Sequence, residues 1–219
     1  MLAALRMEGS RFEVALEALD AADSDRPTRC PPWSVRDLLA HVLVACDRLP
    51  TMLSEDAPSS ADVNAWAYFR SDRRFSDDAN AARVDAARRL AGSSPSGNAL
   101  AAAVGDAVRR MADAAAGEPH DRLIRTRWGD AMLLDDFLAT RVLELVVHGL
   151  DIARALDRSP WTSTEAAAAT LTVLVDGRPD EALARTGWEA VELIERATGR
   201  APLRHDERVL AHLRPLALG

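Results

Sequence analysis

The chain has 219 residues, enough for one large domain with a sizeable core, and its 48% hydrophobic and 28% charged residues carry no disorder signature. A net charge of −7, with no basic patch evident along the chain, argues against nucleic acid as a main partner, and no apolar run reaches membrane-spanning length. Cys30 and Cys46 form no C-x-x-C pair and read as buried small residues of a reduced, cytoplasmic protein.

Taken in order, nearly every periodic segment predicts helix. Residues 2–20 place Leu2, Leu5, Phe12, Leu16 and Leu19 at helical intervals, and the charges at Arg6, Glu8, Arg11 and Glu13 break the apolar stretch that a signal peptide would need. The connector "AADSDRPTRCPP" cannot continue a helix. In "WSVRDLLAHVLVACDRLPTML", Ser34 can cap, Asp37 sits at the third helical position as in a capping box, and Trp33 can staple onto Leu38. This predicts a helix over 35–54. Loops then surround a helical piece near 77–91, and Asn98 is the expected cap of a third bundle helix ending at Gly117. "DRLIRTRWGD" is β-like but too short to predict a sheet, and the fourth long helix spans 134–156. Two more helices are expected after Pro160, and the apolar "RVLAHLRPLALG" is expected to pack back on the body. The expectation is an all-α protein, a four-helix bundle over 1–158 with a helical C-terminal extension over 159–219 packed against it.

The fourth helix raises the functional question. Within "RVLELVVHGLD", residues Arg141, Glu144, His148 and Asp151 are spaced three, four and three apart, so they share a helical face beside the apolar Leu138, Val142, Leu145 and Ile152. Glu144 and His148 project side by side and can reach one metal ion; taken alone, such a pair is more often a solvated one. His41 lies in line with Leu38 and Ala45 on the inward side of its own helix. Two inward polar clusters on two helices are expensive to bury unless they satisfy each other or a shared ion. His41, Glu144 and His148 make a His₂Glu set that leaves one tetrahedral position open, suited to catalytic zinc and also to another divalent metal such as iron or nickel. Asp151 can orient a ligating histidine from behind, or make an ordinary helix-side hydrogen bond. Arg141 can pair with Glu144 or with a substrate carboxylate. Trp128, in the irregular segment before this helix, is a candidate for the mouth of a pocket, while His120, His205 and His212 lie outside either motif.

Two segments carry a family resemblance. "RCPPWSVRDLLAH" is similar to the C-P-x-W-[ST]-V-R-D-L-L-A-H opening of the mycothiol-dependent maleylpyruvate isomerase-like proteins, part of the DinB-like superfamily of metal-binding four-helix bundles. "RVLELVVHGLDIARAL" resembles that family's R-x-x-E-x-x-x-H-G-x-D-x-A-x-A segment. The resemblance covers about residues 1–158 and fades beyond them. It implies that His41, Glu144 and His148 bind the metal, usually zinc, with water or the thiolate of a small thiol such as mycothiol in the open position. It further implies thiol-assisted cis–trans isomerisation, or transfer of the thiol to an electrophile. Family isomerases use a C-terminal arginine for the substrate carboxylate, and Arg204 and Arg214 are the candidates here. The expected partners are a small-molecule substrate and a small thiol, with no nucleic acid and no membrane, in a monomer or homodimer. Two other readings stay open: a metal-dependent hydrolase, and a non-catalytic metal-binding stress protein of the same fold.

Overall fold

A computed structural model describes residues 1–70 and 72–202. The first helix, α1 (Leu2–Leu16), buries Leu5, Phe12 and Leu16 along one face and stops at Leu16. A short α2 (Ala21–Ser24), capped by the Asp20 carboxylate, which accepts from the Asp23 N–H at 2.7 Å, occupies the connector that was expected to be loop. The capping box forms as expected at the head of α3 (Val35–Cys46): Asp37 N–H donates to Ser34 Oγ at 3.3 Å, and Ser34 N–H donates to Asp37 Oδ2 at 3.1 Å.

The helix expected over 35–54 is broken. α3 ends at Cys46, and α4 (Leu49–Leu53) restarts with Pro50 in its first turn. Pro50 has no N–H for the Cys46 carbonyl, and its ring would clash there, but at a helix start neither matters. Asn64 caps α5 (Ala65–Tyr68), a 3₁₀ turn follows at Asp72–Phe75, and Ser76 caps α6 (Asp77–Ser93). Ser96, not Asn98, caps α7 (Gly97–Ala116), because its hydroxyl is the one that reaches the Ala99 N–H at 3.1 Å.

The β-like patch does pair, contrary to expectation. β1 (Leu123–Arg125) and β2 (Ala131–Leu133) form an antiparallel ribbon in which Ile124 faces Met132. Its turn uses Gly129 at φ +89°, and Ile124 and Met132 are both buried, so core packing supports strands that are too short to stand alone. The ribbon leads directly into α8 (Leu134–Ala155). Beyond it lie α9 (Thr164–Leu174), α10 (Pro179–Thr186) and α11 (Ala190–Ala197). One helix was expected where α10 and α11 stand; Gly187 at φ +67° turns the chain between them.

The fold is an all-α, DinB-like bundle. α1 packs on α7 and α8, and α3 packs on the same two helices, closing a four-helix ring; α6 lies outside against α3, α9 packs on α8 and α1, and α11 on α9. In α8, every residue from Phe137 to Ala153 is buried. No solvated face exists for its polar stripe, so those groups must be satisfied inside the protein. The segment "RVLAHLRPLALG", which holds His212 and Arg214, and the preceding Arg204 and His205 lie outside the described residues.

Candidate metal centre

Helix α3 places His41, and one turn of α8 places Glu144 and His148, on facing sides of the bundle interior. His41 Nε2 lies 3.4 Å from Glu144 Oε2, and His148 Nε2 lies 3.2 Å from the same oxygen. All three donor atoms fall within 4.8 Å of one another. Trp33, fixed just ahead of the α3 capping box, stacks on the His41 ring with centroids 4.7 Å apart and planes at 27°, and the two imidazoles meet edge to face at 5.0 Å. Trp33 thus backs the His41 ring.

Burial pushes the His41 imidazole down to about 4, against the opposing pull of Glu144, which leaves a neutral nitrogen donor at neutral pH. Burial also resists charge on His148 and Glu144, but their partners outweigh it. Asp151, then Cys30 and Glu144, hold His148 well above the ordinary histidine range, while His148 and His41 hold the Glu144 carboxyl well below its own. The cluster therefore favours one positive charge at its centre, which a proton or a divalent ion can supply.

The donors fit such an ion. Glu144 Oε2 and His148 Nε2 are buried, and neither completes a hydrogen bond among the described residues. Two ligands about 2.0–2.1 Å from a tetrahedral zinc lie about 3.3 Å apart, which matches the spacings here. One carboxylate and two imidazoles suit zinc, iron(II) or nickel alike.

Behind His148 the network continues. Its Nδ1 lies 3.2 Å from Asp151 Oδ2, on the side away from Glu144. An ionised carboxylate only accepts, so Nδ1 carries the proton there and Nε2 is turned toward His41 and Glu144. Arg29 and Arg200 also reach Asp151, and the Cys30 thiol donates to its Oδ2 at 3.1 Å. Cys30 is buried as expected, but it is a polar member of this network; Cys46, whose thiol burial raises to about 12, fits the apolar reading.

A cavity of about 200 Å³ opens onto the three donors. Tyr68, Phe69, Phe75 and Trp128 form aromatic walls, as expected for Trp128, and five arginines line the rest: Arg48, Arg74, Arg83, Arg127 and Arg141. Arg74 is neutralised by Asp130. Arg48, Arg127 and Arg141 have no carboxylate partner among the described residues. The pair with Glu144 allowed for Arg141 does not form: its guanidinium donates to the Ala45 carbonyl at 3.0 Å and to Thr140 Oγ1 at 3.1 Å, and it lies over the Phe137 ring at 4.8 Å. The basic patch missing from the linear sequence is assembled by folding, from α6, α8, the ribbon turn and the break after α3. His120 is exposed and lies outside the site.

A DinB-like bundle with a histidine on one helix and E-x-x-x-H on the facing one is the architecture of a metal-binding, thiol-related class of proteins. The chain belongs to the family described as the mycothiol maleylpyruvate isomerase N-terminal domain, whose model matches residues 5–153. No curated protein and no solved structure matches it. The matched span holds Cys30, Trp33, His41, Glu144, His148 and Asp151, and it ends before Arg200. Among the described residues, no helix is long and apolar enough to cross a membrane.

Proposed function

We propose that the protein is a divalent-metal-dependent enzyme that uses a metal-activated small thiol, mycothiol or a close equivalent, for isomerisation or S-transfer on an electrophilic small molecule. The observation that carries this is the convergence of His41 Nε2, Glu144 Oε2 and His148 Nε2 beneath an open cavity, with two of the three atoms otherwise unsatisfied. The three side chains would hold zinc, or iron or nickel, and leave a position for sulfur. Bound there, a metal would lower the thiol pKa so that a thiolate nucleophile would be available near neutral pH.

The chain's own residues do the rest. Trp33 backs His41, Asp151 fixes the His148 ring, and Arg48, Arg127 and Arg141 hold an anionic group of the electrophile over the donors. Sulfur adds to an activated double bond; rotation about the new single bond and loss of the same sulfur isomerise the substrate and return the thiol. Keeping the carbon–sulfur bond and taking a proton makes the adduct of a transferase. Dependence on a reduced thiol accords with the reducing cytoplasm.

Hydrolysis is a weaker reading, because a metal-bound water needs a separate base, and Glu144 is the only carboxylate among the described residues lining the cavity. A non-catalytic metal-binding role would leave the cavity arginines without a ligand to hold. The test is elemental analysis followed by cobalt substitution. About one metal per chain is expected, absent in His41→Ala and His148→Ala proteins that keep their helical signal. Mycothiol should then add a sulfur-to-cobalt charge-transfer band. An unchanged cobalt spectrum at millimolar mycothiol would sink the thiol reading.

A further inference from the structure

His148 belongs to two groups of possible ligands. Through Nε2 it joins His41 and Glu144; through Nδ1 it joins Cys30 and Asp151, whose donor atoms also lie within 4.8 Å of one another, all three buried. A thiol, an imidazole and a carboxylate make an attractive zinc or cobalt site. That second group already contains a cation. Arg200 Nη2 lies 2.9 Å from Asp151 Oδ2 and 3.2 Å from Cys30 Sγ, and its Nε lies 3.1 Å from Asp151 Oδ1.

The delivery of Arg200 follows from local sequence. In "ERATGR", Thr198 caps α11 and Gly199 follows at φ +74°; Arg200 N–H donates to the Glu195 carbonyl at 2.7 Å and Gly199 N–H to the Arg196 carbonyl at 3.1 Å. This is a Schellman turn, and it reverses the chain so that the next side chain points back into the bundle. Glu195, reached by Arg29 at 2.9 Å and by Arg154 at 3.3 Å, ties the same turn to the loop before α3 and to α8.

We infer that Arg200 is a positioning residue of the metal centre, acting from outside the family-matched span in two ways. Its two-point grip on Asp151 fixes the carboxylate that orients His148, and its guanidinium fills the Cys30–His148–Asp151 group, so that a metal can be held only on the cavity side. A guanidinium keeps its charge at every accessible pH, so a divalent ion must displace it rather than share the space. The inference rests on the metal reading above.

Cobalt binding without any added thiol tests it. The wild-type protein is expected to bind cobalt with no thiolate charge-transfer band. Arg200→Met should open the rival group: Cys30 loses its proton to the buffer, sulfur coordinates, and the band appears. Cys30→Ala in the Arg200→Met background should abolish that band and leave zinc affinity about 10–100-fold below that of Cys30→Ala alone, the usual cost of losing a partner behind a ligand. Arg200→Lys, which keeps a cation beside Asp151, should show no band. An Arg200→Met protein with the wild-type spectrum and affinity would overturn the inference while leaving the metal reading standing. If Arg200→Met does not fold, the wild-type spectrum still decides: a thiolate band there that vanishes in Cys30→Ala would mean Arg200 excludes nothing. Failure of wild type to bind cobalt at all would remove the metal reading, and this inference with it.

Discussion

Glu8 of α1 shows how a single buried carboxyl can work against its own fold. It accepts from the Ser163 N–H at 2.9 Å and from the Ser163 hydroxyl at 3.1 Å, holding the start of α9, while its other oxygen is buried and completes no hydrogen bond among the described residues. Burial raises its pKa, and the Ser163 bonds and Arg11 only partly offset this. A carboxyl whose folded pKa is raised contributes stability that is fully present below its unfolded pKa and is lost as pH rises through the folded value. Glu8→Gln should therefore gain on wild type as pH is raised from 4 to 7, read as a growing difference in Tm; a constant difference would mean Glu8 is not strained by its charge. His148 gives a second residue-scale expectation. Its raised pKa means that a metal must displace a proton, so metal affinity should fall with falling pH, and the heat of binding should vary with the ionisation enthalpy of the buffer that takes up that proton. At this scale the sequence marked His41, Glu144, His148 and Asp151 because each sits at helical spacing beside an apolar stripe, and the structure brings all four together. Trp33, Cys30 and Arg200 were not legible in their roles. Their contacts depend on where a loop and a distant turn arrive in space; the Gly199–Arg200 pair just past α11 is the local signal of a chain reversal, and nothing in it says where the arginine lands.

Among the elements, α3 matters most, because its start fixes both Trp33 and the register of His41. Ser34→Ala removes the hydroxyl half of the capping box and should cost about 1 kcal/mol in urea unfolding, with a parallel loss of metal affinity as the first turn frays. No change in either quantity would show that tertiary packing alone sets the turn. The α1–α7 contact is tighter still. A Cβ on Gly9 would lie 2.5 Å from Val108 Cγ1, so Gly9→Ala should destabilise by about 1–3 kcal/mol, and Val108→Ala in the same chain should recover part of that loss. The longer helices were readable from period and caps, whereas the short α2 and α5 and most helix ends were not. Pro50 and Gly187 split expected helices because one proline and one left-handed glycine outweigh a continuing apolar pattern. The ribbon was missed for the opposite reason: each strand is three residues long and owes its pairing to buried Ile124 and Met132.

At the level of the whole molecule, the apolar core runs through all four bundle helices independently of the His41, Glu144 and His148 cluster. Chelation should lower Tm yet leave most of the helical circular dichroism; collapse of that signal would mean the ion is structural. The net charge of −7 describes the envelope, while the cavity mouth gathers guanidiniums that no carboxylate among the described residues offsets at Arg48, Arg127 and Arg141. The screening length shrinks from about 30 Å to about 3 Å between about 0.01 and 1 M salt. On the proposed function, capture of an anionic electrophile should therefore slow steeply over that range, whereas capture of an uncharged thiol should hardly change. In stopped-flow measurements salt would then separate the two arrivals, making the electrophile's encounter the slow event at high ionic strength without altering any residue that touches sulfur.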